Sequence, residues 1–404
     1  MIEIAQLLFE MQQQSRWNDF LRYLHIFKEN MKICYIHFNH DVIDNSIGWS
    51  DIRNVAWDIN YGDILVCSAI ARQIKNDQNK IDNNFRCDFG EVLRAQGDQA
   101  LIRGSTYLNN EFNFNAANKT IDSVDSPLTI VGLGAQNSVS DISFLDNNEG
   151  ARNFISRLNE KSKSISVRGD FTACVVERLG GKNIRVTGCP SLFYSLKIPL
   201  ITVPEMLNHP ERSLGLTIHT ELMDNIYCKS PEVAKKLQGH LISFALKNSL
   251  KISIFEQGVL NECNASDRKL SFFERFSAAQ KIVQNIQTDR NITEYQLLAC
   301  LTSISTIEEW LSKTRDLDAI IGFRFHGNMM ALLQGKPSYY YYYDSRIEEF
   351  CKLYRLPGQD VNAEWVNPII KMQEHDWSKT NDCIKTCFQE LTSFYRENSF
   401  EINY

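Results

Sequence analysis

The stretch DAIIGFRFHGNMMALLQGKPSYYYYYD, residues 318–344, gives the clearest indication of how this chain folds. The apolar segment at 318–324 predicts a buried strand, the residues at 328–335 predict a helix, and the tyrosine-rich segment at 337–344 predicts a second strand. Two strands joined through a helix form a right-handed βαβ unit, in which the strands run parallel. This stretch therefore predicts an α/β protein with parallel sheets.

The same alternation of strands and helices extends through the rest of the chain. Short apolar segments predict further strands at 128–136, 164–169, 183–190, 213–220 and 250–258. Helical spacing of apolar residues predicts helices at 170–181, 271–287, 293–304 and 306–317. Alternation in both halves of the chain favours two parallel sheets built from βαβ units.

Four of the nine prolines are close together in the middle of the chain, at Pro190, Pro199, Pro204 and Pro210. Proline can neither continue a helix nor donate to a sheet, so this stretch predicts a connecting segment. It divides the chain into residues 1–195 and 196–404, and we expect two Rossmann-like domains that face a cleft. Residues 1–30 predict an amphipathic helical extension of the first domain.

The composition excludes several classes of protein. The 404 residues are 43% hydrophobic and 23% charged, which is typical of a globular chain and not of a disordered one. The net charge of −6 argues against a dedicated nucleic-acid-binding protein, because such proteins carry an excess of Lys and Arg. Eleven scattered cysteines without a CxxC pair predict reduced thiols and no zinc site. With no signal peptide and no apolar run of about 18 residues, a cytoplasmic protein is expected.

Arg324 and His326 are the strongest candidates for chemistry. They lie at the end of the strand at 318–324, and Gly327 follows directly, before the next helix. Ligands of open α/β sheets bind beyond the carboxyl ends of strands, where helix N-termini present free N–H groups. Arginine there offers a bidentate fork to phosphate or carboxylate, and histidine transfers protons near neutral pH. The alternative is structural: Arg324 caps a neighbouring carbonyl, and His326 is an internal histidine with satisfied hydrogen bonds.

Arg168 and Asp170 form a similar arrangement in the first half of the chain. Arg168 follows the predicted strand at 164–169, and Asp170 opens the helix at 170–181. Both are candidates for ligand contact. On the structural alternative, Asp170 is the N-cap of the helix and Arg168 is its salt-bridge partner.

Two more segments of the first half are candidates for the same cleft. Asn60, Gly62 and Asp63 precede an apolar helix, where Gly62 would allow close approach of a ligand and Asp63 could cap the helix. Gly104 and Ser105 form a turn after the strand-like residues 100–103. Neither segment has the GxGxxG fingerprint of dinucleotide-binding proteins or a P-loop, so NAD and ATP chemistry are not predicted.

Two other patterns are better interpreted as structural. The run from Tyr339 to Tyr343 could stack on a sugar, but a strand with alternate rings buried is the preferred interpretation. Asp344 and Arg346 beyond it are expected in a loop that faces the cleft. The segment HFNHD at 37–41 has no third metal ligand at a convincing spacing, so it predicts surface or structural residues and no metal.

Four of these segments, in this order, resemble the polysaccharide pyruvyl transferase family. The N-x-G-D pattern of the family matches residues 60–63, and its strand, V-R-[DE], helix and Thr-Gly-Cys-Pro-like turn match SVRGDFTACVVERLGGKNIRVTGCP at 166–190. Its strand, G-x-R-x-H-G, helix and G-x-P match residues 320–337, and a strand ending near Y-D with a following helix completes the pattern. The resemblance spans roughly residues 55–360.

The chain departs from the family pattern in two places. Gly169 stands directly after Arg168, where the family has an acidic residue, so either Asp170 takes that role or no residue does. Arg103, Gly104 and Ser105 stand where the family usually has a glycine-rich turn. These differences are compatible with another acceptor or another transferred group.

The resemblance implies a GT-B-like fold and transfer of the pyruvyl group of phosphoenolpyruvate to a sugar, with formation of a cyclic ketal. It implies that Arg324 and Arg168 bind the donor, that His326 donates a proton, and that Asp63 binds the acceptor or takes a hydroxyl proton. It implies no metal and no organic cofactor. The other substrate-binding residues that it implies are Asn60, Gly62, Asp170, Gly104, Ser105 and Gly327.

The acceptor that the resemblance implies is either a soluble glycan or a lipid-linked oligosaccharide, and the latter would bring peripheral contact with the inner face of the membrane. Two other functions stay open from the sequence. One is a GT-B glycosyltransferase with a nucleotide-sugar donor, since the same Arg and His suit a diphosphate leaving group. The other is a non-catalytic carbohydrate-binding or scaffold protein, in which Arg324 and His326 would be replaceable.

Overall fold

The first of two parallel sheets is built from the first half of the chain. The computed structural model describes residues 32–38, 60–75, 89–93, 97–249, 251–286 and 292–404. The strands are β1 Ile33–Ile36, β2 Gln99–Arg103, β3 Leu128–Val131, β4 Ile165–Val167 and β5 Ile184–Val186. β1, β2 and β3 pair in that order, β4 pairs with β5, and a parallel bridge from Leu133 to Val167 joins the two groups. The helices between these strands are α1 Tyr61–Gln73, α2 Phe114–Asp122, α3 Glu149–Lys161 and α4 Asp170–Arg178.

The second sheet has six parallel strands in the order β8-β7-β6-β9-β10-β11. These are β6 Ser213–Thr217, β7 Lys251–Phe255, β8 Leu301–Thr302, β9 Ala319–Gly322, β10 Ser338–Tyr342 and β11 Gly358–Asp360. The strand order reverses direction between β6 and β9, and doubly wound sheets bind ligands at that switch point. The helices of this half are α5 Pro231–Asn248, α6 Leu260–Ser266, α7 Phe272–Ile286, α8 Glu294–Cys300, α9 Ile307–Thr314, α10 Phe325–Leu332, α11 Ser345–Tyr354, α12 Pro368–Glu374 and α13 Trp377–Glu397.

The βαβ unit predicted for residues 318–344 is confirmed, as β9, α10 and β10. Burial of the tyrosine strand differs from the prediction: the rings of Tyr339, Tyr340 and Tyr341 are all buried, not alternate ones. The reason is that helices cover both faces of an internal parallel strand. The predicted helix at 293–304 is also too long, because α8 ends at Cys300 and β8 follows it. The extension predicted for residues 1–30 lies outside the described residues.

The proline-rich segment lies between the two sheets, and it contains two short 3₁₀ helices, at Pro190–Phe193 and Glu205–Asn208. Helix α13 then returns to the first half, where Glu390 lies 2.7 Å from the guanidinium of Arg185. The hydroxyl of Tyr395 on α13 donates to Gln73 Oε1 at 2.9 Å. Helix α13, which belongs to the second half of the chain, therefore packs against the first half. Within the described ranges, no helix has the length and apolar character needed to span a bilayer.

Candidate active site

A cavity of about 580 Å³ lies where the two halves meet, at the carboxyl ends of β6 and β9. Seven of the ten residues predicted for the site line it: Asn60, Gly62, Asp63, Ser105, Arg168, Arg324 and His326. Gly104, Asp170 and Gly327 do not line it. The cavity coincides with the switch point of the second sheet, which is where a doubly wound fold binds its ligand.

The N-terminus of α1 brings Asp63 to the cavity. Asn60 Oδ1 accepts a hydrogen bond from the Gly62 amide at 3.0 Å, so Asn60 is the N-cap and the prediction that Asp63 caps the helix is wrong. Asp63 lies one turn into the helix, where Oδ1 is 2.7 Å from Nη1 of Arg103, a buried residue at the end of β2. Arg103 is held in turn by the carbonyl of His37. His40 and Asp41 of the HFNHD segment lie outside the described residues.

The Asp63 carboxylate is ionised at neutral pH. Burial alone would raise its pKa, but the charges of Arg103 and Arg168 outweigh burial and lower the pKa below its usual value. The hydroxyl of Ser105 donates to Asp63 Oδ1 at 3.3 Å. A carboxylate with a lowered pKa is a weak base and a good hydrogen-bond acceptor, which suits it to bind a hydroxyl better than to deprotonate one.

Gly62 is needed because the imidazole of His326 packs directly against it. A Cβ at residue 62 would lie 2.1 Å from His326 Nδ1, well inside van der Waals contact. The other ring nitrogen, Nε2, is 3.8 Å from Sγ of Cys189. Gly62 and Cys189 thus hold opposite edges of the His326 ring, which aligns it at the start of α10.

Replacement of Gly62 by alanine should therefore displace His326. We expect the free energy of unfolding to fall by about 1–3 kcal/mol, the usual cost of overpacking. We expect kcat to fall more than the loss of stability implies, since a shift of about 1 Å in a catalytic group costs up to about 100-fold. Urea unfolding and steady-state kinetics measure the two effects. Glu149→Ala, an exposed first-turn substitution in α3, is the control, and equal activity of the two variants would contradict the packing role of Gly62.

His326 is neutral in the free protein. Its side chain is buried, and burial followed by the charge of Arg168 lowers its pKa well below 6.5. His326 is therefore not the ready proton donor that the family resemblance implies, because its neutral imidazole must first accept the proton that it then donates. A neutral imidazole is ready to accept one.

Arg168 lies at the floor of the cavity and is fixed by two carbonyl oxygens. Its Nε donates to the Gly132 carbonyl at 2.9 Å, and Nη2 donates to the Gly104 carbonyl at 3.1 Å. Gly104 thus contributes to the site through Arg168 and not by contact with a ligand. A Cβ at Gly104 would lie 2.2 Å from the Gly132 carbonyl carbon, so only glycine fits this close approach of two strands.

Asp170 and Gly327 are two of the predicted site residues that do not line the cavity. Asp170 is exposed at the first position of α4, and Gly169 occupies the N-cap position, so Asp170 neither caps the helix nor lines the cavity. Gly327 is buried within α10, where a Cβ would lie 2.3 Å from Gln257 Nε2 and 2.6 Å from Thr217 Cγ2. It allows the helix to pack closely on the end of β6.

Arg324 caps a neighbouring carbonyl, as the structural interpretation of this residue predicts, and it also lines the cavity. Its Nε donates to the Ile218 carbonyl at 2.7 Å, and Nη2 lies 3.1 Å from both carboxylate oxygens of Glu262, whose side chain is fully buried. Glu262 also accepts hydrogen bonds from the amide and hydroxyl of Thr220. Arg324 lines the cavity, but much of its bonding capacity holds β6 and α6 together.

Two further basic groups complete this side of the cavity. Arg346 on α11 had been expected near the cleft; its Nη2 lies 3.3 Å from Asp344 Oδ2 and 3.2 Å from the Tyr343 hydroxyl. His219, which follows β6, was not predicted. Burial and the charges of Arg324 and Arg346 lower the pKa of His219 well below 6.5. The signal that selects Arg324, a polar residue just beyond a buried strand, also applies to His219.

Two Rossmann-like parallel sheets with a cavity rich in arginine between them define an α/β protein of the GT-B-like class with a site for an anionic ligand. The chain belongs to the polysaccharide pyruvyl transferase family, whose family model matches residues 60–345. Membership indicates a transferase that acts in polysaccharide synthesis.

The chain is also similar to solved structures of proteins in complex with sugar nucleotides. Anabaena Alr3699/HepE in complex with UDP-glucose aligns over 92% of this chain and 98% of its own, with 9% identity and a TM-score of 0.44. The Methanocaldococcus jannaschii UDP-GlcNAc 2-epimerase in complex with UDP-GlcNAc and UDP aligns over 82% and 75%, with 12% identity and a TM-score of 0.38. These similarities are too low to bear on the substrate. A search of curated proteins finds no match.

Proposed function

We propose that the protein transfers the pyruvyl group of phosphoenolpyruvate to two hydroxyls of a sugar, which gives a cyclic ketal and phosphate. The observation that carries this proposal is the convergence of Arg168, Arg324 and Arg346 with His326 around one cavity. Phosphoenolpyruvate carries a phosphate and a carboxylate close together, so its binding requires several cationic donors within a few ångströms.

Unpaired donors favour an anion at this position. Arg346 Nε is buried and lacks a hydrogen-bond partner among the described residues, as do Nδ1 of His219 and Nε2 of Gln257. An unsatisfied buried donor costs about 1–3 kcal/mol, and a bound oxyanion would recover that cost. All three residues line the cavity.

The proposed reaction proceeds by two additions at C2 of the donor. One sugar hydroxyl adds to C2 while C3 gains a proton and becomes a methyl group. The C2–O bond to phosphate then breaks with its electron pair on phosphate, and the second hydroxyl adds to the oxocarbenium-like carbon and gives its proton to the departing phosphate. Neutral His326 takes the proton of the first hydroxyl and passes it to C3, because an imidazolium with a lowered pKa is a strong proton donor.

The rest of the cavity suits a sugar. Its lining includes hydrogen-bonding side chains from both halves, among them Asn60, Thr106, Glu221 and Asn225. The ionised Asp63 carboxylate adds an acceptor for a sugar hydroxyl close to His326. Polar side chains in the same cavity as the cationic groups supply the hydrogen bonds that a polyhydroxylated acceptor requires.

Donor identity is tested by thermal unfolding with phosphoenolpyruvate and, in parallel, with a panel of nucleotide sugars. A ligand that binds only the native state at a hundred times its Kd adds about 2.7 kcal/mol of stability. We expect a clear upward shift in Tm with phosphoenolpyruvate, and loss of that shift in Arg346→Gln, which removes one of the three arginines from the cavity. Lys352→Gln, an exposed substitution on the same helix, is the control.

Each other outcome contradicts the proposal in a different way. A shift with nucleotide sugars alone would indicate glycosyl transfer. No shift with either class, together with unchanged function after substitution of His326, would indicate a carbohydrate-binding or scaffold protein.

A further inference from the structure

The N-terminal part of helix α11 crosses the boundary between the halves and docks on the first one. Asn137 and Ser345 exchange two hydrogen bonds: the Ser345 amide donates to the Asn137 carbonyl at 3.0 Å, and the Asn137 amide donates to Ser345 Oγ at 2.9 Å. Gln136 Nε2 donates to Asp344 Oδ2 at 2.8 Å. These contacts attach the helix that carries Arg346 to the loop after β3.

Glu349 makes the deepest of these contacts. Its Oε1 accepts from the Thr172 amide at 2.6 Å, and its Oε2 accepts from the Thr172 hydroxyl at 2.9 Å. Thr172 lies in the first turn of α4, where backbone amides have no helical partner. The N-cap residue Gly169 has no side chain for this task, so a carboxylate from a residue 177 positions away caps the helix.

Gly169 is what makes room for this carboxylate. A Cβ at residue 169 would lie 2.4 Å from Cγ of Glu349. The backbone at Gly169 is fully extended, with φ of −179°, a conformation that any residue can adopt. The space taken by Glu349 is therefore the one reason that the structure offers for glycine at this position.

The departure from the family pattern thus has a physical explanation. An acidic residue directly after Arg168 would occupy the volume that Glu349 fills, next to the same helix N-terminus. Burial raises the pKa of Glu349 to about 7, while its bonds to Thr172 and the charge of Arg168 act in the opposite direction. In this chain the acidic residue next to Arg168 and α4 is Glu349, which belongs to the other half, and Asp170 does not take that role.

We propose that Glu349 is a positioning residue that sets the distance between Arg168 and Arg346. Arg168 immediately precedes Gly169 and helix α4, and Arg346 lies three residues before Glu349 on α11, so the bond to Thr172 fixes both arginine-bearing elements to one another. This role depends on the proposed function in one respect: Arg168 and Arg346 must bind the same anion. Any oxyanion of suitable size reports on it.

The test measures the Kd of inorganic phosphate and of phosphoenolpyruvate for Glu349→Ala, Gly169→Asp and the double variant. Glu349→Ala should weaken binding of both anions by about 10-fold or more, since loss of one hydrogen bond to a charged group has an effect of this size. Gly169→Asp should do the same because its side chain collides with Glu349. The double variant, which supplies an acid for α4 after Arg168 but leaves α11 without its bond to Thr172, should bind no better than Glu349→Ala.

Two further variants separate positioning from general damage. Glu349→Gln keeps a carbonyl oxygen for the Thr172 amide and mimics the protonated carboxyl, so it should bind both anions nearly as well as the wild type. Glu177→Ala removes an exposed acid from the same helix α4 and should have no effect. Hydrogen exchange at the Thr172 amide reports on the contact itself, and it should accelerate in Glu349→Ala alone of these three.

The outcomes distinguish this inference from the proposed function. Phosphate affinity that is unchanged in Glu349→Ala, with faster exchange at Thr172, would overturn the positioning role. Recovery of wild-type affinity in the double variant would also overturn it, because capping of α4 would then be sufficient without the bond between the halves. A wild-type protein that binds phosphate but not phosphoenolpyruvate would instead contradict the proposed donor, while the phosphate data would still decide the role of Glu349.

Discussion

Replacement of His326 by alanine should reduce kcat by about 10²–10⁴-fold, the usual contribution of a general acid–base group. Donor affinity should change little, because Arg168, Arg324 and Arg346 carry the cationic contacts. Saturating kinetics measure the first effect, and titration with phosphoenolpyruvate measures the second. The ring of His326 is packed between Gly62 and Cys189, and this packing fixes its orientation in the cavity.

The pH dependence of the wild type adds an independent check on His326. Since burial and the charge of Arg168 lower its pKa, the imidazole stays neutral as the pH falls through 6.5 and becomes protonated only well below that value. Activity that requires the neutral form should therefore persist below pH 6.5. An acidic limb at or above pH 6.5 would contradict this assignment.

A histidine outside the cavity serves as the control for the substitution of His326. His240 packs against Trp365, with ring centroids 4.2 Å apart and the rings tilted by 49°, and does not line the cavity. His240→Ala should retain wild-type turnover. Near wild-type turnover in His326→Ala would show that the proton-transfer role is wrong.

Replacement of Arg324 by alanine should have the largest effect on stability. It leaves the carboxylate of Glu262, which is fully buried, without its ion-pair partner. Removal of one member of a buried pair typically costs about 3–5 kcal/mol, because an uncompensated charge remains in a medium of low dielectric constant. Urea unfolding at neutral pH measures this loss, which should be accompanied by weaker donor binding.

A double-mutant cycle isolates the cause of that loss. Glu262→Gln in the Arg324→Ala background removes the unpaired charge and keeps an oxygen for Thr220, so part of the stability should return. Arg157→Ala, which breaks an exposed pair with Asp122, is the control and should cost no more than about 1 kcal/mol. A loss in Arg324→Ala as small as in the control would contradict the buried-pair interpretation. Arg346→Gln likewise removes the ion-pair partner of a buried carboxylate, Asp344, so its unfolding free energy is measured together with its donor binding.

The strands and helices near the site were predictable because their signals are local. Apolar periodicity at 318–344 identifies β9, α10 and β10, and it places Arg324 and His326 at a strand end without knowledge of the rest of the chain. Position along one segment is also sufficient to select Asn60 and Asp63 at the start of α1. Such signals depend on neighbouring residues and survive in a single sequence.

The roles of the individual site residues depend on contacts with residues that are distant in the sequence, and a local sequence pattern does not reveal such contacts. The guanidinium that holds Asp63 comes from Arg103, the carboxylate that holds Arg324 comes from Glu262, and the acid that caps α4 comes from Glu349. The sequence left two possibilities for that acid: either Asp170, the nearest acidic residue, or no residue at all. Proximity along the chain was a poor guide because each of these contacts joins residues far apart in the sequence, two of them within one half and the third across the cleft.

By itself, therefore, the chain's order of residues determined the α/β class, the family and the set of polar groups that gather at the strand ends. Only the folded arrangement determined which of those groups are free for a ligand and which are bound to one another. The physical reason is that charge pairing, burial and the space beside a glycine are properties of three-dimensional neighbours. Gly62 and Gly169 illustrate this, since each is explained by a side chain from the opposite half, His326 and Glu349.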